Sequence, residues 1–95
     1  MPKPKIGKYY YIITYPMTMK KEKYKDGILV KVIGFKSKEG WREIYGEKVV
    51  HVKVIKKSPS PLFRNWNRYT ELDIDSIRFE HATEINKEKV LAVLM

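Results

Sequence analysis

Five short runs rich in β-branched and aromatic residues predict the strands of a small antiparallel sheet. The runs cover residues 9–15, 28–35, 41–45, 49–55 and 74–81. Short glycine-containing turns separate the second, third and fourth runs, which favours an antiparallel meander. The inward-facing positions predict a core that contains Val30, Val32, Val50, Val52 and Ile77.

The alternation within these runs also assigns side chains to the two faces of the sheet. The first run has apolar residues at odd and even positions, so we expect both of its faces to be partly buried. In the second run, Leu29, Ile33 and Phe35 fall on the face opposite the core valines. In the fourth run, His51 and Lys53 are predicted to face solvent.

Proline and aromatic residues indicate a loop and then a short helical turn after the fourth run. Pro59 and Pro61 cannot donate hydrogen bonds to a strand ladder, so they predict a loop. Phe63, Trp66 and Tyr69 then recur at every third residue, which predicts a short helical or 3₁₀ turn.

The C-terminal residues favour a short helix, with a strand as the alternative. Asn86 is a suitable N-cap for a helix over residues 87–94. Its apolar side would carry Val90, Leu91, Val93 and Leu94.

This predicted order of elements resembles that of an SH3-like small barrel. The resemblance covers residues 6–82 at the level of layout, and residues 27–34 (GILVKVIG) resemble the opening strand of KOW-type and Tudor-type modules. It implies a mainly β fold, a five-stranded antiparallel barrel with a short 3₁₀ or helical turn, as a single domain over residues 1–95. Many such modules bind RNA, DNA or peptides, and the barrel hosts unrelated functions.

Positive charge is concentrated in the first part of the chain. The protein has 95 residues and a net charge of +9. Residues 1–57 contain fifteen Lys or Arg against five Asp or Glu, whereas residues 58–95 contain five against six. A one-sided positive field attracts anionic partners such as nucleic acid or an acidic protein. The alternative is that the lysines serve only solubility.

A lysine cluster around one tyrosine is the first candidate site for nucleic acid. Lysine ammonium groups can neutralise phosphates while an aromatic ring stacks on a base. A solvated loop without a ligand is the alternative. The candidate residues are Lys20, Lys21, Lys23, Tyr24 and Lys25.

Arginine and aromatic residues mix again between residues 64 and 69. Arg64 and Arg68 are four residues apart, so on a helix they would share a face and clamp a phosphate or carboxylate. Trp66 could stack on a base, and Trp41 is a further stacking candidate on its strand. The alternative is that the aromatic residues from Phe63 to Tyr69 plug the end of the barrel.

Catalytic and metal sites are not indicated by the sequence. The chain has no cysteine, and His51 and His81 lack closely spaced co-ligands. Asp73 and Asp75 would share one strand face, where carboxylates are normally solvated. We therefore expect no enzymatic activity, no metal and no cofactor.

Charge and aromatic content together lead to a non-enzymatic nucleic-acid-binding module as the leading hypothesis. The alternative is a small protein-binding module, or an inhibitor of a host protein such as a phage encodes. No apolar run is long enough for a membrane span, so we expect a cytoplasmic protein that does not engage membranes.

Overall fold

One antiparallel sheet organises the part of the chain that the computed structural model describes, residues 4–13, 26–37 and 48–94. The order of strands across the sheet is β4-β3-β2-β1-β5. The mainly β prediction is confirmed. The strands are β1 (Tyr9–Ile12), β2 (Ile28–Ser37), β3 (Lys48–Lys56), β4 (Glu71–Asp75) and β5 (Thr83–Ile85).

Short 3₁₀ turns connect the later strands and lead into one short helix. Pro61–Phe63 and Trp66–Arg68, called the aromatic turns below, follow β3. Ser76–Phe79, called the Ile77 turn, separates β4 from β5. A turn at Lys87–Lys89 continues into helix α1 (Val90–Leu94). Both helical predictions are therefore confirmed, and the alternative of a C-terminal strand is wrong.

The main core lies on one face of the sheet. Val30, Val32, Val50 and Val52 are fully buried there, as the alternation predicted. Apolar side chains from β1, β4 and the 3₁₀ turns complete this cluster: Tyr10, Ile12, Ile28, Phe63, Ile74, Phe79 and Ala82.

A smaller apolar cluster covers part of the opposite face. Tyr11, Leu29, Ile85 and Val90 are buried in it, so both faces of β1 are buried as expected. The helix α1 contributes Val90 to this cluster. The predicted apolar side of the helix is only partly correct, because Leu91 and Leu94 are exposed.

The predicted strand at residues 74–81 is wrong beyond Asp75. The chain leaves β4 there, forms the Ile77 turn and re-enters the sheet only at Thr83. A continued strand would place Ile77 and Phe79 on one face, because side chains alternate with a period of two, whereas the 3₁₀ turn separates them. Consequently Ile77 is 54% exposed, and Phe79 is the fully buried residue of this segment.

The pairing of β2 with β3 changes two further predictions. The ladder shifts between Val32 and Gly34, so Phe35 lies opposite Val50 on the core face rather than on the opposite face. β2 also pairs directly with β3, in the place that the meander prediction gave to the strand at residues 41–45. Residues 38–47 themselves lie outside the described ranges.

Gly27, just before β2, packs directly on β1. Its backbone N–H donates a 2.6 Å hydrogen bond to the Tyr11 hydroxyl. A β-carbon at this position would lie 2.7 Å from the Tyr11 ring and against the carbonyl oxygen of Ile12. Only a residue without a side chain fits, because backbone atoms cannot move aside as a flexible side chain can.

We predict that Gly27→Ala lowers the free energy of unfolding by about 1–3 kcal/mol, because the added methyl overpacks a buried contact. Gly34→Ala is the matched control, since a β-carbon there meets open space. It should change stability by less than about 0.5 kcal/mol. Urea denaturation measures both, and equal effects would contradict the close approach at Gly27.

Candidate nucleic-acid interface

An open groove of about 300 Å³ lies between the aromatic turns and the Ile77 turn. Its apolar side includes Trp66 and Leu62, and its polar groups come from the segment that follows Ile77. A volume of this size is at the lower end of the range for small-ligand sites. The lining residues are Ile12, Ile13, Leu62, Phe63, Trp66, Ile77, Arg78, Glu80 and His81.

The aromatic turns hold Trp66 in position as a wall of this groove. The Ser60 hydroxyl caps the first turn by accepting from the Leu62 N–H at 3.2 Å, and Pro61 occupies its first position. Phe63 enters the main core and is 2% exposed. Trp66 packs edge-to-face on Phe63 with ring centroids 4.9 Å apart. Of the predicted aromatic plug, Phe63 is fully buried, Trp66 is half-buried, and Tyr69 is exposed.

A buried serine fastens the aromatic turns to the chain that precedes β2. The Asn67 side chain accepts from the Ser58 N–H at 3.0 Å and donates to the Ser58 carbonyl at 2.6 Å. The Ser58 hydroxyl donates to the backbone carbonyl of Asp26. Ser58 is 5% exposed, and its hydrogen-bonding groups are satisfied by these contacts.

The two residues that flank the lysine-rich segment both lie close to the aromatic turns. Ile13, the described residue before it, lines the groove, and Asp26, the described residue after it, is held by Ser58. Two segments far apart in sequence therefore meet at one place. The candidate residues Lys20, Lys21, Lys23, Tyr24, Lys25 and Trp41 themselves lie outside the described ranges.

Arg64, between the two aromatic turns, and Arg68, in the second of them, are exposed to solvent. Neither Arg64 nor Arg68 forms an ion pair with any residue that the structure describes. The segment is two 3₁₀ turns rather than one α-helix. Three residues complete a 3₁₀ turn, so side chains four residues apart point in different directions around the axis. The α-helical spacing that predicted a two-pronged clamp from Arg64 and Arg68 is therefore absent.

Sequence reasoning missed the residues that the Ile77 turn and the two residues after it supply to the groove. The sequence pattern predicts a strand over Ile77, Arg78, Glu80 and His81, whereas these four residues line the groove. The local alternation of apolar and polar residues was the available signal for this segment. It could not reveal the groove, because the opposite wall comes from Leu62 and its neighbours.

A second polar cluster lies on the opposite face of the sheet, around His51. The ring nitrogen Nδ1 is 2.5 Å from Asp73 Oδ1, and Nε2 is 3.0 Å from Glu71 Oε1. Lys36 Nζ donates to Asp73 Oδ2 at 3.2 Å. His51 and Asp73 are direct neighbours across the β3–β4 ladder, so the sheet itself sets this geometry.

Hydrogen bonds to the carboxylates of Asp73 and Glu71 raise the pKa of His51. The hydrogen bond to His51, followed by the contact with Lys36, lowers the pKa of Asp73. Both ring nitrogens already face carboxylates, so neither is free for a substrate. The carboxylates lie on opposite sides of the ring, and no group of three metal-binding side chains converges among the described residues.

No protein-family model, no curated protein and no solved structure matches this chain. In the described ranges, no helix combines the length and apolarity that crossing a membrane requires. The function of the groove is therefore argued from its own geometry and charge.

The His51 cluster predicts a pH-dependent contribution to stability. Because the folded pKa of His51 is raised, its contribution is full below the unfolded value of about 6.5 and is lost as pH rises through the folded value. The lowered pKa of Asp73 gives a contribution that is present above about pH 4 and is lost as pH falls.

We therefore predict that His51→Gln lowers the free energy of unfolding by about 0.2–1 kcal/mol near pH 5.5, where the solvent-screened pair is intact. The difference should shrink toward about pH 9, where the imidazole is neutral. His81→Gln is the control, since His81 is exposed and has no ion pair with a described residue. Urea denaturation across pH would contradict the prediction if the His51 effect were constant.

Proposed function

We propose that this protein is a non-enzymatic module that binds single-stranded nucleic acid. Basic side chains would neutralise the phosphates, and a base would enter the groove against Trp66. The carrying observation is a solvent-open groove with an indole wall and a guanidinium group, Arg78, in its lining. Stacking on an aromatic ring beside cations is how sequence-tolerant binding to single strands is assembled.

The size and shape of the groove support one planar ligand. Trp66 is held by the buried Phe63 ring, so its remaining surface is presented without further ordering of the side chain. Ile77 is 54% exposed on the other wall and offers a second apolar surface to a flat ring. A single nucleobase is a flat ring of suitable size, whereas a base-paired duplex is too wide to enter a cleft of about 300 Å³.

Unpaired cations near the groove support an anionic partner. Arg64, Arg68 and Arg78 are exposed and have no ion pair with a described residue. The residues between Ile13 and Asp26 include four lysines and one glutamate, which adds to the positive charge of the chain. Guanidinium groups match phosphate geometry, and ammonium groups add charge without strict geometry.

We also propose that the sheet belongs to the SH3-like type, close to KOW and Tudor modules. The order β4-β3-β2-β1-β5 and the Ile77 turn between the last two strands support this assignment. The fold alone carries no function, because such barrels host many. It is compatible with a binding surface at the end of the strands.

Protein binding is the second candidate function. Leu62 and Ile77 are each more than half exposed at the same groove, which would suit an apolar anchor residue of a peptide. An acidic peptide would also satisfy the arginines. Binding of this kind depends less steeply on salt than binding to phosphates.

We predict that Trp66→Leu weakens binding to an oligouridine by about 1–3 kcal/mol, because it removes a stacking surface. Leucine still packs on Phe63, so the melting temperature should fall only slightly. Tyr69→Leu is the matched control, since Tyr69 is exposed in the same segment and does not line the groove. Fluorescence anisotropy measures both, and equal losses would contradict a stacking role for Trp66.

We predict that changing Lys20, Lys21, Lys23 and Lys25 to Gln flattens the log-log salt dependence of binding by about three units, since each phosphate contact on a single strand contributes about 0.7. The melting temperature should not change. The control changes four exposed lysines outside the groove, Lys8, Lys53, Lys87 and Lys89, and lowers the charge equally. Equal slopes for both variants would mean that the lysine cluster contributes only net charge and makes no specific phosphate contacts. A wild type without affinity at low salt would overturn the proposed function.

A further inference from the structure

Resting on the proposed function, we infer that the groove is selective for guanine. The groove holds one carboxylate, Glu80, and one guanidinium, Arg78, beside the indole of Trp66. Guanine offers hydrogen-bonding groups that match both charges at once. The guanine of a strand and that of a free nucleotide share this chemistry, and the test below separates them.

The Ile77 turn fixes where these two charges emerge. Phe79 is fully buried and anchors the turn, so its neighbours Arg78 and Glu80 emerge on either side of it. The Glu80 N–H donates to the Ile77 carbonyl at 3.0 Å, which sets the backbone of the carboxylate residue. Turn geometry and core burial therefore position the charged pair.

Neither Arg78 nor Glu80 is neutralised by a partner within the described part of the protein. No ion pair joins Arg78 to Glu80, and neither side chain forms one with another described residue. Oppositely charged residues that share a groove without pairing remain available for a ligand that carries donors and acceptors. Glu80 would also repel a phosphate, which argues that a base rather than the backbone occupies this part of the groove.

Base chemistry then selects guanine among the four bases. A carboxylate accepts two parallel hydrogen bonds from the adjacent N1–H and N2–H donors of guanine. The O6 and N7 acceptors lie together on another edge and match a guanidinium group. In adenine, cytosine and uracil each donor stands next to an acceptor, which repels a carboxylate that approaches it. Guanine is also a purine and covers more of the indole face than a pyrimidine does.

The test compares oligouridines of about ten nucleotides that carry one central substitution. Guanine should raise the affinity about tenfold over uridine, whereas adenine or cytosine should raise it less than about threefold. Inosine, which lacks the 2-amino group, should lose most of the gain. Equal gains for guanine and adenine would overturn the inference and leave the proposed function standing.

Two matched variants assign the selectivity to the groove. Glu80→Gln should bring the guanine-to-uridine affinity ratio close to one, because the amide presents one acceptor and no charge. Glu88→Gln removes the same charge from the exposed turn before α1, outside the groove, and should leave the ratio unchanged. Using the ratio cancels the general gain in affinity that loss of a negative charge gives. An unchanged ratio in Glu80→Gln would overturn the inference.

Free nucleotides distinguish the source of the base. Guanosine monophosphate should reduce the affinity for the guanine-containing strand to the oligouridine level, and uridine monophosphate should not. If guanosine monophosphate binds wild type but not Glu80→Gln, and no strand binds, the guanine site stands and the proposed function fails. If neither nucleotide nor strand binds at low salt, both proposals fail.

Discussion

The sheet depends on β1, a four-residue strand that is buried on both faces. Tyr10 enters the main core and Tyr11 enters the smaller cluster, so each buried phenol needs a hydrogen-bond partner. The Tyr11 hydroxyl accepts from the backbone N–H of Gly27. The Tyr10 hydroxyl accepts from the backbone N–H of Lys5 at 2.9 Å and donates to the Glu84 carboxylate at 3.3 Å. Burial is the main cause that raises the pKa of Tyr10, which keeps this phenol neutral. These contacts tie the start of β2 and the strand β5 to β1.

The end of β1 is also where the candidate site forms, because Ile12 and Ile13 line the groove. Ser58 and Asn67 then connect the aromatic turns to the chain before β2. Charge is used differently at the two polar regions of the molecule. On the sheet, the carboxylates of Glu71 and Asp73 are matched by His51 and Lys36, whereas the charges beside the groove have no described ion-pair partner.

The sequence by itself determined the features that depend on local alternation and spacing. The core valines of β2 and β3, the two-sided burial of the first strand and the 3₁₀ character of the aromatic segment all follow from residue periodicity. The short helix before the C-terminus was also predicted in type, although its expected apolar side was only partly correct. Local sterics and side-chain direction decide each of these, so the neighbouring residues carry enough information. The concentration of lysine in the first 57 residues also follows directly from the sequence.

Tertiary structure decided everything that joins distant segments. The bulge near Gly34 moved Phe35 to the core face, because the pairing of β2 with β3 sets which residues oppose each other. Ile77 became exposed because Phe79 filled the core instead, a competition that alternation within one strand cannot express. The groove, the buried Ser58 and the His51 cluster each need side chains from two or three elements. Such sites depend on contacts between residues far apart in the chain, and these form only when the sheet is assembled.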